Sequence, residues 1–353
     1  MTGTPRKPRP RRTFSAFGDV RKMPTEYEIV THGQNWTMRR NRSGAFEQNP
    51  SSPPNLWFLT YRDKSPLAVD DWEEFRDPDA LTYRAYVNLQ SDAEAKSGGV
   101  LAEYAKAGAD KRLAPGQTGL LASLHTPSRY LVHGFQQIQA YVGYMAPTSY
   151  VTNAAGFATA DLLRRLTLIA YRTRELQLAH PEAGFGTGER EKWERDESWQ
   201  PARRAVERAL VSYDWGEAFT ALGLVLGPTL DDVLLRQFGE ASAQSGDEES
   251  WLLSKYLQED ADRRLRWSTA LAAFAVRRRG GNEEVLRRWI DRWTPAADDA
   301  AAGLGSLLAR YGPRSWTTER VVSEASAARR VCHARVFAGT GETGEVPAER
   351  KGA

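Results

Sequence analysis

The sequence has few of the features that mark secreted, membrane-bound or disulfide-linked proteins. Its 353 residues include one cysteine, Cys332, so no internal disulfide can form, and a reducing compartment is expected. No uninterrupted apolar run approaches the ~18 residues of a membrane-spanning helix, and the N-terminus has no apolar segment of the signal-peptide type. The sequence therefore predicts a cytoplasmic protein that does not enter a membrane.

Metal-binding motifs are also missing. None of the five histidines has Glu or Asp three positions before it, the spacing at which one helix brings a carboxylate and an imidazole to the same ion. The histidines do not cluster with Cys332 at zinc spacings. His133 and His180 are interpreted as hydrogen-bonded residues near helix ends. We therefore expect no metal and no cofactor in this chain.

Positive charge is concentrated at one end of the chain. Residues 1–45 contain ten Lys or Arg and three acidic residues, so they carry +7 while the rest carries −4. A basic run such as 5–12 can contact nucleic acid through phosphates. No aromatic or glycine-rich binding module follows it, so we expect a solvated arm or contact with an acidic partner, and no nucleic-acid binding.

Apolar residues recur every three or four positions from about residue 70 onward and predict an all-α protein. Gly227 and Pro228 are expected to separate two helices, and Pro295 to kink or end another. Helices of up to about 30 residues are typical of large bundles. The predicted helical segments are 79–109, 117–124, 128–145, 149–179, 201–225, 229–244, 247–278 and 283–310.

Residues 1–61 lack this periodicity but contain large aromatic residues. A segment without a core of its own needs a surface supplied by something else. We expect an extended N-terminal arm that wraps the helical domain or, as the preferred reading, a partner subunit. A helical domain would follow over 62–312, and 313–353 would be a C-terminal extension that is largely flexible at its glycine-rich end.

The residues alone leave two other all-α classes open. DDWEE at 70–74 and LDDVLLRQFGE at 230–240 are loosely similar to the aspartate-rich motifs that hold Mg²⁺ and diphosphate in class I terpene synthases. Leu235 stands where a Ser or Thr ligand is needed, and helix capping explains the first motif. A ferritin-like protein that binds metal through carboxylates alone would use acidic residues such as Glu207, Glu217, Asp260 and Asp262.

Several stretches resemble the hydroxylase β (small) subunit of bacterial multicomponent, soluble di-iron monooxygenases. The similar segments are RRTFS at 11–15, MPTEYEIVTHGQNW at 23–36, WEEFRDPDALTYRAYVNLQ at 72–90, SYVTNAAGFATADLLRRLTLIAYRTRELQL at 149–178 and YLQEDADRRLRW at 256–267. The EYEIVTHGQNW wording is most similar to the propane, alkene and cyclic-ether branch. The resemblance implies a ferritin-like bundle of long helices, like that of ribonucleotide reductase, with an extended N-terminal arm.

The resemblance also implies a copy of the fold that has lost its iron ligands. In the family's catalytic α subunit, the corresponding helix carries a Glu-x-x-Arg-His stretch. Here Ala170 and Thr173 are expected to face inward at those positions, and Arg264 would repel iron from within a second helix. The positions implied to be former ligands are Ala140, Ala170, Thr173, Ala261 and Arg264.

The complex implied by the resemblance contains two α and two β chains, a coupling protein and an NADH-dependent reductase with FAD and a 2Fe-2S cluster. The di-iron centre of the α subunit would hydroxylate a small hydrocarbon, as in the conversion of propane to propan-2-ol. This chain would be a non-catalytic scaffold of the α subunit. The residues expected at the interface are Tyr27, Trp36, Trp57, Trp72, Tyr83 and Tyr86.

Overall fold

The computed structural model describes residues 24–32 and 53–338, and all the regular structure within them is helical. Trp36 and the basic run at 5–12 lie outside the described residues. The helices are α1 (Glu26–Thr31), α2 (Pro53–Phe58), α3 (Tyr83–Ala107), α4 (Pro115–Leu120), α5 (Ser128–Met145), α6 (Ser149–Ala179), α7 (Glu189–Arg195), α8 (Gln200–Leu210), α9 (Trp215–Gln244), α10 (Glu248–Arg278), α11 (Gly281–Tyr311) and α12 (Thr318–Phe337).

Four of these helices form a closed bundle. Helix α5 packs against α6, α6 against α10, α10 against α9, and α9 against α5. The contact between α5 and α6 is especially close, since a Cβ on Gly143 would lie 3.3 Å from the Cβ of Ala155. Helices α8, α11 and α12 pack outside α9, while α3 covers α10. This arrangement confirms the predicted all-α, ferritin-like architecture.

Several of the long helices, though not α5 or α11, begin where a side chain can satisfy a free backbone N–H. Thr82 accepts a hydrogen bond from the N–H of Ala85 at the start of α3. Asp247 accepts one from Ser250 at the start of α10. The sequence predicts 128–145, 149–179 and 247–278 to within about two residues of the observed helices, and such local signals explain the last two.

Helix α9 differs from the prediction. The segment 201–225 is interrupted between Leu210 and Trp215, whereas Gly227 and Pro228 lie inside one continuous helix. Two π-helical turns, Thr220–Leu226 and Asp232–Gln237, flank them. A π turn already changes the hydrogen-bond pattern, so it accommodates the missing N–H of Pro228 without ending the helix. Pro295 likewise lies inside α11, and the predicted stop does not occur.

Helix α12 was not predicted. It packs against α9, α10 and α11, and it buries Val321, Ala325, Cys332 and Val336. The spacing of these residues is helical, but small side chains make the pattern weak. Whether 313–353 forms a unit distinct from 62–312 stays a prediction.

The described parts of the N-terminal segment lie against the helical body. The ring of Tyr27 is buried with its centroid 5.6 Å from that of Tyr150 on α6. The indole N–H of Trp57 donates to the hydroxyl of Tyr141 on α5 at 3.0 Å. These contacts hold the segment on its own chain, and the wrapping of a partner stays a prediction.

One described helix, α9, is long and apolar enough to cross a membrane by length and composition. The apolar window of this helix is 89% buried inside the protein. Its apolar character is therefore accounted for by its position at the centre of the bundle.

Candidate functional site

Charged side chains occupy the interior of the four-helix bundle. Asp231 of α9 accepts a hydrogen bond from Nη1 of Arg165 on α6 at 2.7 Å, and its other oxygen accepts one from Nη2 of Arg264 on α10. The two arginines are buried, and the side chain of Asp231 is only 12% exposed. We call Arg165, Asp231 and Arg264 the central ion cluster. It ties three of the four bundle helices together.

A second buried network joins α3 to α6 and α10. Asp161 accepts hydrogen bonds from the hydroxyl of Tyr86 at 2.9 Å, from Gln90 at 2.9 Å and from Arg263 at 2.7 Å. Arg263 also donates to Asp260 at 2.6 Å. Burial, reinforced by the nearby charge of Asp260, raises the pKa of Asp161 to about 6. The network makes α3 part of the core rather than a loose cover.

These interior residues do not fit a di-iron centre. In residues 24–32 and 53–338, no group of three or more His, Cys, Asp and Glu could hold a metal ion. Asp231 supplies one carboxylate, and both its oxygens accept hydrogen bonds from arginines. A divalent cation beside two guanidinium groups would be repelled, and no imidazole is present in the cluster.

The structure corrects two of the former ligand positions. Ala140 and Ala170 lie on exposed faces of α5 and α6, so the expectation that Ala170 faces inward is wrong. The reason is helical phase, because Ala170 is turned by about 100° from the buried Ile169. The buried stripe of α6 includes Asp161, Leu162, Arg165, Ile169, Arg172, Thr173 and Leu176.

The other three positions do lie toward the interior. Thr173 is buried, and its hydroxyl donates to the carbonyl of Ile169 at 2.7 Å. Ala261 and Arg264 line one side of a cavity of about 120 Å³. Arg264 belongs to the central ion cluster, whereas Ala261 has no polar atom to bind a metal. That these positions descend from iron ligands stays a prediction.

The histidines have partners other than metals. His180 follows the end of α6, where its Nε2 lies 2.7 Å from the carbonyl oxygen of Asp110, which confirms its interpretation. His133 is exposed on α5 and lies 3.0 Å from the side chain of Gln137. His125 is stacked on Phe238 with ring centroids 5.0 Å apart. Burial and two nearby arginines lower the pKa of His125 to about 3.

The acidic residues considered for the alternative classes are mostly engaged in other contacts. Asp71 caps the short 3₁₀ helix Trp72–Glu74 by accepting from the N–H of Glu73 at 2.9 Å. Asp231 and Asp232 pair with arginines. The ion pairs of the proposed carboxylate ligands join Glu207 to Arg203, Glu217 to Arg292 and Asp260 to Arg164. Asp262 is exposed on α10.

The outward side of α6 has the residue spacing of a helix-packing surface. Its exposed positions follow one another mostly at steps of three, four or seven, and one of them is charged. Leu163, Tyr171 and Leu178 are 44%, 52% and 64% exposed. We call these exposed positions the α6 stripe; they are Gly156, Leu163, Thr167, Ala170, Tyr171, Arg174 and Leu178.

Helices α5 and α3 extend this surface on either side of α6. On α5 the exposed positions His133, Gln137, Ala140 and Tyr144 have the same spacing. Helix α3 runs parallel to α6, as shown by successive contacts that join Tyr86 to Phe157, Gln90 to Asp161 and Glu94 to Arg164. The outer positions of α3 include Tyr83, Val87, Ser91, Ala95, Gly98, Ala102 and Ala105. Together these positions form the α3–α5–α6 face.

The predicted interface residues fall into two groups. Tyr83 is 75% exposed on the α3–α5–α6 face. Trp57, on α2, is 36% exposed where it contacts Tyr141 of α5. An interface role for Tyr27 and Tyr86 is not supported, because both are buried inside this chain. Trp72 is partly buried, with its ring centroid 5.3 Å from that of Trp215.

The sequence predicts interface residues mainly among the aromatic residues of the N-terminal segment and does not single out the α6 stripe. Its signal was visible in LTLIAYRTRELQL, where a second set of apolar positions follows the same period on the opposite side of the helix. One helix with two apolar sides packs in two directions. The outer set of apolar side chains is therefore not buried by any of the described residues.

Residues 57–279 match the family model described as Methane/Phenol/Alkene Hydroxylase. The match spans more than half of the chain, and the chain belongs to that family. Within it, the sequence is that of a hydroxylase β (small) subunit of a multicomponent, soluble di-iron monooxygenase.

Two relatives and one solved structure define the similarity more closely. The chain is 38% identical over 300 residues to the hydroxylase component subunit beta of the toluene-4-monooxygenase system of Ectopseudomonas mendocina, covering 85% of this chain and 91% of the relative. It is 25% identical over 320 residues to the propane 2-monooxygenase hydroxylase small subunit of Gordonia sp. (strain TY-5), covering 87% and 83%. A structure of toluene 4-monooxygenase with bound toluene superposes with a TM-score of 0.81 at 38% identity, covering 86% of this chain and 99% of that one.

Proposed function

We propose that this chain is the non-catalytic scaffold of its hydroxylase and that it binds the larger, catalytic subunit through the α3–α5–α6 face. The observation that carries the proposal is the α6 stripe, which exposes apolar side chains along a helix that is otherwise buried. Two observations support it: the described residues contain no group of three or more His, Cys, Asp or Glu that could hold a metal ion, and the family's relatives are named as subunits of a hydroxylase component.

The composition of the stripe suits helix-on-helix packing. Gly156 and Ala170 leave room for a partner helix to approach, while Leu163 and Leu178 offer side chains that can insert between its residues. A Cβ on Gly156 would meet no atom of the described residues within 4 Å, so no contact among them requires glycine there. Obligate interfaces are poor in charge at their centre, and Arg174 is the only charged residue of the stripe.

In this proposal the chemistry belongs to other chains of the complex. A di-iron centre in the larger subunit would supply oxygen activation, and this chain would hold the helices around it in a fixed geometry. We propose an assembly of two large and two small subunits in the cytoplasm, served by a coupling protein and an NADH-dependent reductase with FAD and a 2Fe-2S cluster.

The substrate is proposed to be a small hydrocarbon. The sequence comparison favours an aromatic one, because identity is 38% to the toluene system subunit and 25% to the propane subunit. The propane to propan-2-ol reaction expected from the sequence is the competing choice. Assays of the assembled complex with toluene and with propane distinguish them, since one substrate should give alcohol or phenol product at a much higher kcat/KM.

Two charged substitutions on the α6 stripe test the docking proposal. We expect Leu163→Arg and Ala170→Glu each to weaken binding of the larger subunit by about tenfold or more, because each buries an unpaired charge in the contact. Binding is measured by co-purification from co-expressing cells and by sedimentation of the purified mixture.

The matched control is Val331→Arg, which adds the same charge as Leu163→Arg at a 53% exposed position of α12. This variant should assemble normally, since α12 packs against α9, α10 and α11. Normal assembly of both stripe variants, with their folding checked by circular dichroism, would contradict the proposed face.

A further inference from the structure

We infer that the central ion cluster takes the place of a metal centre in this bundle, with the guanidinium groups of Arg165 and Arg264 supplying the positive charge that joins the helices around Asp231. The cluster links α6, α9 and α10 through their interior side chains. In ferritin-like carboxylate proteins, ligands from the bundle helices project inward and the metal holds them together. Here the cation belongs to the protein itself.

The signs of the charges in the cluster are the reverse of those in a metal site. A carboxylate metal site gathers several anions around a cation, whereas two buried cations here share one anion. Among the described residues, the guanidinium groups of Arg165 and Arg264 each donate one hydrogen bond, and both bonds go to the carboxylate of Asp231. Desolvation and the charge of Arg264 lower the pKa of Arg165, although a guanidinium stays charged in proteins. The arrangement therefore lacks ligands and also opposes the entry of a divalent cation.

The three side chains come from three of the four bundle helices. Asp231 is the last residue of the α-helical turn Gly227–Asp231, which lies between the two π turns of α9. Arg165 comes from the buried stripe of α6 and Arg264 from that of α10. The ion cluster thus identifies Arg165 as an interior position on α6, whereas the resemblance implied that Ala170 and Thr173 face inward there.

Space for a different occupant adjoins the cluster. The cavity of about 120 Å³ is lined by Asp231, Asp232, Ala261, Asp262 and Arg264, among others. This volume exceeds what one water molecule requires. Shorter acidic side chains in place of the arginines would therefore leave room for an ion with its water ligands.

The inference is tested by exchanging the two arginines for ligands in the full-length chain. The double variant Arg165→Glu/Arg264→Glu should bind Co²⁺ saturably at one ion per chain, because three carboxylates would then face one another. The wild-type chain should not. The readouts are Co²⁺ absorption spectra and a melting temperature that rises with Co²⁺ concentration in the variant alone.

The matched control adds Asp231→Asn to the double variant, which should abolish the Co²⁺-dependent rise in melting temperature. A folded double variant that gains no such rise would overturn the inference, as would a rise that survives Asp231→Asn. If the double variant does not fold, Arg165→His/Arg264→His carries the same test, because both guanidinium charges are removed and two imidazoles can bind Co²⁺ beside Asp231. Neither result depends on whether the larger subunit binds at the α3–α5–α6 face.

Discussion

Single residues of the bundle interior matter mainly through their charges. Asp231 is the only acidic side chain paired with either Arg165 or Arg264 in the described part of the chain. Taking one partner away from such a group leaves charge buried without compensation, which costs far more than losing a surface ion pair. The sequence identified Arg264 as an interior residue but could not identify its partner, since Asp231 is 33 residues away in sequence.

Asp231→Asn should therefore destabilise the chain strongly. We expect a loss of about 3–5 kcal/mol in the free energy of unfolding, because two buried guanidinium groups lose their counter-charge. Urea unfolding followed by tryptophan fluorescence measures the change. Asp299→Asn, at an exposed position of α11, should change stability by no more than about 0.5 kcal/mol. Equal effects of the two substitutions would show that the cluster is not a stabilising feature.

His125 should make the chain sensitive to acid. In the unfolded chain it takes up a proton near its ordinary pKa of 6.5, whereas in the native chain its pKa is lowered to about 3. Between these values the unfolded state binds more protons, so stability falls as the pH falls below about 6.5. His125→Gln cannot be protonated, and it should lose less stability between pH 7 and pH 4.5. Urea midpoints at the two pH values measure this, and parallel losses in both proteins would contradict the assignment.

At the scale of helices, the sequence predicts the helices whose ends carry local signals and fails where tertiary packing decides whether a helix continues. Helices α5, α6 and α10 were predictable because breakers and capping residues mark their ends. Helix α9 was not, because its continuity through Gly227 and Pro228 depends on burial by α8, α11 and α12. Tertiary contacts from distant parts of the chain override a local break of this kind. The helical phase of α6 was likewise ambiguous, since both its sides are apolar.

Two glycine substitutions separate helix propensity from packing. A Cβ on Gly98 of α3 would meet no atom within 4 Å, so Gly98→Ala should stabilise the free chain by about 0.5–1 kcal/mol. A Cβ on Gly134 of α5 would overlap Cγ1 of Val206 on α8, so Gly134→Ala should destabilise it by about 1–3 kcal/mol. Thermal unfolding should show a higher melting temperature for Gly98→Ala and a lower one for Gly134→Ala. A stabilising Gly134→Ala would mean that α5 and α8 can move apart without cost.

At the scale of the whole molecule, the described residues leave the α3–α5–α6 face uncovered. Tyr83, Tyr144, Tyr171 and Leu178 are each more than half exposed on the α3–α5–α6 face. A sequence can show that such residues recur at helical spacing. It cannot show which of two apolar sides will be buried by the chain itself, because that choice depends on how the helices assemble. The family was therefore predictable from motifs, whereas the face was visible only in the structure.

The free chain should self-associate when its partner is absent. Exposed apolar faces of this kind drive association in water, and a partner that covers them removes the tendency. Light scattering should show oligomers of the isolated chain, and co-expression with the larger subunit should suppress them. Leu178→Lys, which adds charge to the stripe, should reduce self-association. A strictly monomeric wild-type chain at high concentration would argue against an apolar docking face.

The two π turns of α9 have a consequence for comparing this chain with its relatives. Each π turn fits one more residue into the helix than a regular turn does, and the positions after it are rotated relative to those before it. An alignment that assumes an unbroken α-helical repeat will be offset by one residue beyond each such turn. Counterparts of Asp231, which lies between the two turns, are best identified by superposing backbones rather than by matching letters.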